Sequence, residues 1–462
     1  MGKTGKAEVV VVGGGMAGLC AAITALEQGA SVMVLEKGTR FGGSMRLSGG
    51  LIWTFAEKTQ LKHEIPDGNE TLQEFIVDSL PGSLSWLEKQ GVELSGERTF
   101  QWYGRGRHAD PEQMSQALVN RVTALGGKFV LETGMQSLLS VDGAVVGVQA
   151  FGADGALEVE AESVILATGG FQGSAELVGR YITPFADSMY LRSNPWSTGD
   201  GFIAATAMGA AATPGLDTFY GHALVAPPAR FNQYEFLDVT QRFGPVAVAL
   251  NLEGLRFVDE SAGTGEEALN FAIGRQPQAT AVYIVDAAIA NASSEGNPPP
   301  RVAIARAREC GGPVIDADTI EDLAAGLHKW GLPPRATLQS LRGYNAAVKE
   351  GAGACLEPPR RKNALPIEQP PFTAVAVRAG ITFTCGGLQT DMDMRVLRRA
   401  TTISTLSLVT AAFSEMRFGR IPNLYAAGCD LGGVSNRGYM GGLATALVTG
   451  RTAAAAAAER RE

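Results

Sequence analysis

The sequence predicts an α/β protein: a discontinuous, Rossmann-like domain interrupted by an inserted α+β domain. Three observations predict it. Near the N-terminus an apolar β-branched run, a glycine turn and an alanine-rich stretch lead into a second apolar run. Glycine-punctuated apolar segments then recur to about residue 215 and return from about residue 380. Between them the chain carries more proline, including PPP at 298–300, and an irregular helix and strand pattern. The expected boundaries are 1–215 and 381–462 for the two parts of the first domain and 216–380 for the insertion, and 462 residues suit two or three domains.

Residues 8–12 read as a buried parallel strand, residues 19–28 as a helix ending at Gly29, and residues 31–35 as a second buried strand closed by Glu36. That is one β-α-β unit. Residues 56–125 read as helical with a break at Pro81-Gly82. Short strands follow from 127 to 166, with hairpin signals at Asp142-Gly143 and Asp154-Gly155. Residues 164–171 read as a strand entering a glycine turn, and TGDG at 198–201 opens another helix. The run of alanines at 453–458 reads as a solvated helix end.

The net charge of −8 gives the chain no reason to seek nucleic acid phosphates or an anionic membrane surface. Five scattered cysteines without a C-x-x-C spacing argue against a disulfide framework, a structural zinc site or an attached haem. There is no signal-like start and no uninterrupted run of about 20 apolar residues, so a cytoplasmic protein without a membrane span is expected.

Gly13, Gly15 and Gly18 form G-x-G-x-x-G between strand and helix. The first glycine permits the tight turn, the second lets backbone approach a pyrophosphate, and the third lets helix and strand pack closely. The pyrophosphate then rests on the helix start at Met16 and Ala17, where unpaired N–H groups favour negative charge. Glu36, followed by Lys37, is positioned to accept hydrogen bonds from a ribose. Further close approaches are expected at Gly42, Gly43 and Ser44, at Ser48, Gly49 and Gly50, at Ala167, Thr168 and Gly169, at Asp200, at Gly428 and Asp430, and at Gly442 and Leu443. So many glycine turns suit an extended dinucleotide running through the domain, FAD, better than a nicotinamide cofactor. No second G-x-G-x-x-G marks a module for a nicotinamide reductant.

These residues resemble the fumarate reductase and succinate dehydrogenase flavoprotein superfamily over nearly the whole chain. The marks are GGGMAG at 13–18, ATGGF at 167–171, STGDG at 197–201, NLEGLRFVDE at 251–260 and the C-terminal AAG…GG pattern. The resemblance implies FAD, a capping domain that carries part of the substrate site, and chemistry at flavin N5 between the two domains. GGSMRLSGGLIW at 42–53 and GYMGG at 438–442 are similar to the 3-ketosteroid dehydrogenases, whereas GITFTCGGL at 380–388 is similar to tricarballylate dehydrogenase. The family's arginine proton donor falls on Thr264, its relay on Thr240 and Phe243 with Arg242 adjacent, and a substrate-binding histidine on Phe383. His222 and Arg437 match surviving motif positions. Fumarate reduction is therefore not expected, and the absence of histidine from the 42–50 loop implies noncovalent FAD.

Tyr439, between glycines before a helix of small residues, reads either as an acid/base near the flavin or as a packing ring. Arg437 reads as a carboxylate or carbonyl binder or as a surface arginine, and His222 as a substrate-orienting or a structural histidine. Phe383, Phe243 and Tyr220 are expected to wall an apolar substrate pocket, with Tyr103 and Trp102 as further candidates. The N–H groups around 441–443 would face the flavin pyrimidine. Cys429 stands where the family has glutamate, which leaves Asp430 to take the ribityl contact or the contact to be absent. The expected reaction is α,β-desaturation of a mostly apolar ketone, such as a cyclic ketone or ketosteroid, or its reverse. The electrons would pass to a quinone, an electron-carrier protein or oxygen. The alternatives are a tricarballylate-type polycarboxylate dehydrogenase, an oxygen-using flavin oxidase or hydroxylase, and a non-catalytic FAD-binding protein.

Overall fold

A computed structural model describes residues 3–100, 103–263, 265–293, 298–399 and 419–459. Trp102 and Thr264 lie outside the described residues. The chain divides into two compact units, one of residues 1–174, 194–218 and 383–462, the other of 175–193 and 219–382. The second unit takes in 175–193, a stretch that the sequence reading assigns to the first domain.

The first unit is built on strand β1 (Lys3–Val12), helix α1 (Met16–Glu27) and strand β2 (Val32–Leu35). β1 pairs parallel with β2 on one side and with Gly155–Leu166 on the other, and its Val10 and Val11 are fully buried. Arg420–Ala426 adds in parallel to the far side of Gly155–Leu166, so the last part of the chain completes the sheet begun by the first. Lys128–Val130 extends the opposite edge beside β2. A meander of Thr133–Val141, Ala144–Gly152 and Gly155–Leu166 branches from the same long strand. Its first turn has positive φ at Asp142 (49°) and Gly143 (78°), the two-residue hairpin geometry that their sequence signals. Helix Gly442–Ala458 lies against α1, and a Cβ at its Gly450 would sit 2.3 Å from the Ala17 carbonyl oxygen.

The expected break at Pro81-Gly82 does not occur. Helix Glu70–Lys89 runs through Pro81, because Leu72, Ile76, Leu80, Leu84 and Leu87 bury a continuous apolar stripe that outweighs one lost backbone hydrogen bond. The helical reading of 56–125 also fails at Arg98–Phe100 and Gly104–His108, which form a small antiparallel sheet with Leu51–Phe55, Gly104–His108 lying between the other two strands. Gly106 allows this pairing, since a Cβ there would meet the Trp53 Cβ at 2.5 Å.

The second unit holds a five-stranded antiparallel sheet in the order Leu224–Val225, Phe372–Arg378, Thr280–Val285, Val248–Leu250, with Val314–Ala317 also pairing with Phe372–Arg378. Helices Pro300–Glu309, Ile320–Leu327 and Pro334–Lys349 supply Ile304, Leu323, Leu327 and Leu341 to its core. Part of the 251–260 signature is structural here. The fully buried Glu260 carboxylate takes Arg256 at 2.6 Å and Arg360 at 3.0 Å, and Arg360 continues to the carbonyls of Ala247 and Pro245. Each charge in this brace is paired and hydrogen-bonded, as a buried charge requires. Among the described residues no helix is long and apolar enough to cross a membrane.

Candidate active site

In the first unit the glycine turn has the form that a dinucleotide needs. Gly13 has φ 107°, and a Cβ there would lie 2.1 Å from the Ala167 carbonyl oxygen. A Cβ at Gly18 would lie 1.9 Å from the Gly13 carbonyl oxygen, so only glycine lets α1 pack on β1. Gly15 differs, because nothing stands within 4 Å of where its Cβ would be. It starts α1 with no capping side chain and no acidic residue in the first turn. The Glu36 carboxylate accepts the Gly14 N–H at 2.7 Å and the Gly38 N–H at 2.6 Å. Burial raises its pKa, and these two backbone bonds oppose the shift.

The other expected contact positions gather by direct bonds. Gly42 donates its N–H to the Gly14 carbonyl at 2.8 Å, and a Cβ on Gly43 would come within 3.4 Å of the Gly15 Cα. The Ser44 hydroxyl accepts from Asn194 Nδ2 at 2.6 Å. Ser48 accepts the Gly50 N–H, while a Cβ on Gly50 would meet the Ala109 carbonyl oxygen at 1.9 Å, and Gly49 is exposed. Lys37 Nζ contacts the Asp200 carboxylate at 3.0 Å and the Thr198 hydroxyl at 2.6 Å. Asp430 is buried against the turn that follows Leu166, and takes both the Thr168 amide and, at 2.8 Å, the Thr168 hydroxyl. Burial pushes the Asp430 carboxyl up to about 6.

Tyr439 stands at the other glycine cluster. Its phenol oxygen accepts the Gly442 N–H at 3.3 Å, at the first residue of helix Gly442–Ala458. Its ring meets Trp53 edge-on, centroids 5.5 Å apart, and lies 6.0 Å from Phe383. Trp53 contacts Phe100 and Tyr103 in turn. Phe383, Cys385, Cys429, Val434, Gly442 and Thr445 help to line a small cavity beside it, with no lysine, arginine or histidine among the described residues of its lining. Burial pushes the Cys385 and Cys429 thiols up to about 12, so neither is a thiolate at neutral pH. Arg437 is not part of that lining. It has φ 56°, and its exposed guanidinium sits 3.5 Å from the Asp67 carboxylate.

The second unit contains a buried polar group of its own. His222 Nδ1 lies 2.9 Å from Glu266 Oε2, and His222 Nε2 lies 3.0 Å from the Tyr220 hydroxyl and 3.9 Å from Glu267. Glu266 also accepts the Ala223 N–H and the Tyr283 hydroxyl. Burial drives the Glu266 pKa well up and the His222 pKa well down, and the positive field of Arg192 and Arg242 lowers His222 further. Tyr220, expected as a pocket wall, is thus half-buried and bonded to His222. Phe243 corrects its expectation: it is buried in this unit's core with its ring edge-on to Tyr283 at 5.5 Å, so it is a packing residue. Glu266 and Glu267 have no counterpart in the sequence reading. The available signal was an adjacent carboxylate pair opening an apolar stretch, GEEALNFAIG at 265–274.

The first unit fits the adenosine and pyrophosphate end of FAD. It offers an open glycine at an uncapped helix start and a buried carboxylate one strand away. Among the described residues no group of three or more histidine, cysteine or acidic side chains is arranged to hold a metal.

The FAD binding domain family matches residues 8–444. The chain is 28% identical to a probable fumarate reductase of Shewanella frigidimarina (strain NCIMB 400), covering 98% of this chain and 75% of that protein. It is 27% identical to an NADH:fumarate oxidoreductase of Klebsiella pneumoniae (strain 342), but spans only 48% of that relative's length. It is also 27% identical to a vinyl phenol reductase of Lactiplantibacillus plantarum (strain ATCC BAA-793 / NCIMB 8826 / WCFS1), over 95% of this chain and 92% of that protein. Among solved structures, the open conformation of a flavocytochrome c3 fumarate reductase matches with a TM-score of 0.70 at 25% identity, over 99% of this chain and 79% of that one. The 3-ketosteroid delta1-dehydrogenase from Sterolibacterium denitrificans matches with a TM-score of 0.75 at 20% identity, over 98% and 99%, a likeness of fold.

Proposed function

Because the chain belongs to the FAD binding domain family, within the fumarate reductase and succinate dehydrogenase flavoprotein superfamily, and is an FAD-dependent oxidoreductase of carbon–carbon bonds, we propose that its substrate is a mostly apolar carbonyl compound. A cyclic ketone or ketosteroid, desaturated or reduced at the bond next to the carbonyl, is the substrate class. Bound FAD supplies the hydride acceptor or donor.

The surroundings of Tyr439 carry this reading. Its phenol accepts the Gly442 N–H and is flanked by Trp53 and Phe383. In this reading the phenol donates to the carbonyl oxygen of the substrate. That hydrogen bond strengthens as charge moves onto the oxygen when the neighbouring carbon loses its proton. The aromatic faces favour an apolar ring. The positions at which the resemblance implies a substrate-binding histidine and an arginine hold Phe383 and Thr264 in this sequence, which disfavours succinate, fumarate and tricarballylate. Arg437, exposed and ion-paired with Asp67, is given no part in substrate binding. The proposed electron partner is a quinone, an electron-carrier protein or oxygen.

Anaerobic mixing of oxidised holoenzyme with cyclohexanone, 4-androstene-3,17-dione, succinate and tricarballylate, followed by flavin absorbance, tests the proposal. Bleaching by a ketone with formation of its enone is the expected result. Fastest bleaching by a polycarboxylate overturns it. A requirement for oxygen incorporation replaces it with a hydroxylating reaction.

A further inference from the structure

We propose that Trp196 is the stacking face for the adenine of FAD, an aromatic platform beside the Glu36 carboxylate at the adenosine end of the cofactor site. The inference rests on the FAD site and not on the substrate, and every residue it uses belongs to the first unit. Trp196 directly precedes the STGDG run at 197–201.

Glu36 follows β2 and accepts two amides, the Gly14 N–H at 2.7 Å and the Gly38 N–H at 2.6 Å. An aromatic ring lies against each of these glycines. A Cβ at Gly14 would stand 2.7 Å from Phe41 Cδ1 and 3.2 Å from Glu36 Oε2. A Cβ at Gly38 would stand 2.9 Å from Trp196 Cδ1, 3.0 Å from Trp196 Nε1 and 3.0 Å from Glu36 Oε1. The two rings differ in setting. Phe41 is backed by Phe129, with ring centroids 4.3 Å apart. Trp196 keeps 44% of its surface open to solvent. Nearly half of a large aromatic side chain is thus left uncovered beside a buried carboxylate, where a planar base can cover it.

The loop that carries the indole is fixed in advance. Asn194 Oδ1 accepts the Trp196 N–H at 2.9 Å, and Asn194 Nδ2 donates to the Ser44 hydroxyl at 2.6 Å. On the other side of Trp196, Lys37 Nζ holds the Thr198 hydroxyl at 2.6 Å. Lys37 follows Glu36, and Ser44 follows Gly43, whose Cβ would reach the Gly15 Cα at 3.4 Å, so Trp196 is tied on both sides to the glycine turn. A ring placed before the ligand arrives loses little freedom when it binds. An ionised carboxylate has about four acceptor positions, and the two amides leave room for ribose hydroxyls. The base is joined directly to that ribose, so a ribose held at Glu36 leaves the base beside Gly38 and Trp196. Stacking then asks only for the flat face of the base.

Titration of the full-length apoprotein with ADP, the half of FAD that carries no flavin, tests the platform by calorimetry and by tryptophan emission. ADP is expected to quench part of the emission of the chain's 5 tryptophans. Trp196→Phe keeps a stacking ring, so it should hold ADP within about threefold of wild type and lose the quench. Trp196→Ala should bind ADP about tenfold or more weakly, and FAD likewise when followed by flavin fluorescence. Its urea unfolding should match wild type, because the ring is half exposed in the apoprotein. Wild-type affinity for ADP and FAD in Trp196→Ala overturns the platform. So does an ADP quench that persists in Trp196→Phe, since the quenched indole would then be another one. A tenfold loss in Trp196→Ala that Trp196→Phe fails to restore also counts against stacking, because any flat ring should serve.

Discussion

The Asp430 carboxylate receives both the amide and the hydroxyl of Thr168, a residue 262 positions earlier in the chain. This one carboxylate therefore ties the turn after Leu166 to the turn after Ala426, the two parallel strands that complete the sheet. Burial raises its pKa from 3.8 to about 6. A carboxyl raised on folding favours the folded state below its unfolded pKa, and that contribution is lost as pH rises through the folded value. From pH 5 to pH 7.5 the loss amounts to about 1.4 kcal/mol, one pKa unit's worth. Asp430→Asn cannot ionise. Its denaturant stability as apoprotein is expected to gain on the wild type by about that amount across the same interval. A difference between the two proteins that stays constant with pH would refute the assignment.

Gly15 and Gly18 make opposite predictions although they belong to one motif. Gly15→Ala meets open space in the apoprotein, so its unfolding free energy should remain within about 0.5 kcal/mol of wild type. Its FAD dissociation constant should rise, because the new methyl occupies the pyrophosphate approach. Gly18→Ala drives a methyl into the Gly13 carbonyl, so the apoprotein itself should lose about 1–3 kcal/mol. Urea titration of both apoproteins, with FAD binding followed by flavin fluorescence, separates the two roles. Equal loss of apo stability in both would show that Gly15 is also a packing glycine.

Glu36 tests the other half of the nucleotide site. It already holds the Gly14 and Gly38 amides, so replacing it disturbs the turn as well as any ribose contact. Glu36→Gln keeps the shape but loses the charge and one of the two acceptor oxygens that hold the Gly14 and Gly38 amides. FAD affinity is expected to fall by about 1.5–3 kcal/mol, the worth of a charge-assisted hydrogen bond. Isothermal titration of apoprotein with FAD measures it, and unchanged affinity would remove Glu36 from the cofactor's partners.

These positions were legible because local chemistry alone specifies them. The G-x-G-x-x-G turn, its acid at the end of the second strand and the Asp-Gly hairpins are short-range patterns with steric causes. What escaped the sequence depends on long-range packing. Pro81 sits inside a helix because the buried stripe on either side of it outweighs the local rule. The strands Arg98–Phe100 and Gly104–His108 are short, and in the second of them arginines alternate with glycines whose purpose, making room for Trp53, exists only in the folded sheet. Phe243 follows two polar residues, yet the fold turns it into the core beside Tyr283. Glu266 reads as an ordinary acid at a helix start until the fold sets it against His222, 44 residues away.

Tyr439 is the most decisive single substitution for the proposed chemistry. Its hydroxyl is bonded at Gly442 N–H, and its ring packs with Trp53 and Phe383, so two different losses are separable. Tyr439→Phe keeps the ring and removes only the oxygen. Folding and FAD content should survive, since the Gly442 N–H lies at the first turn of a helix, where water can replace the phenol. Turnover of a ketone should fall about 10²-fold or more, with kcat affected more than KM, because a hydrogen bond that strengthens as charge develops acts mainly on the transition state. Tyr439→Ala should add a rise in KM for cyclic substrates, as the ring's apolar face is lost as well. Steady-state kinetics of both variants with 4-androstene-3,17-dione, alongside flavin absorbance to confirm loading, distinguish the roles. Full activity in Tyr439→Phe with a raised KM in Tyr439→Ala would make the tyrosine a packing ring and leave the carbonyl without its proposed donor.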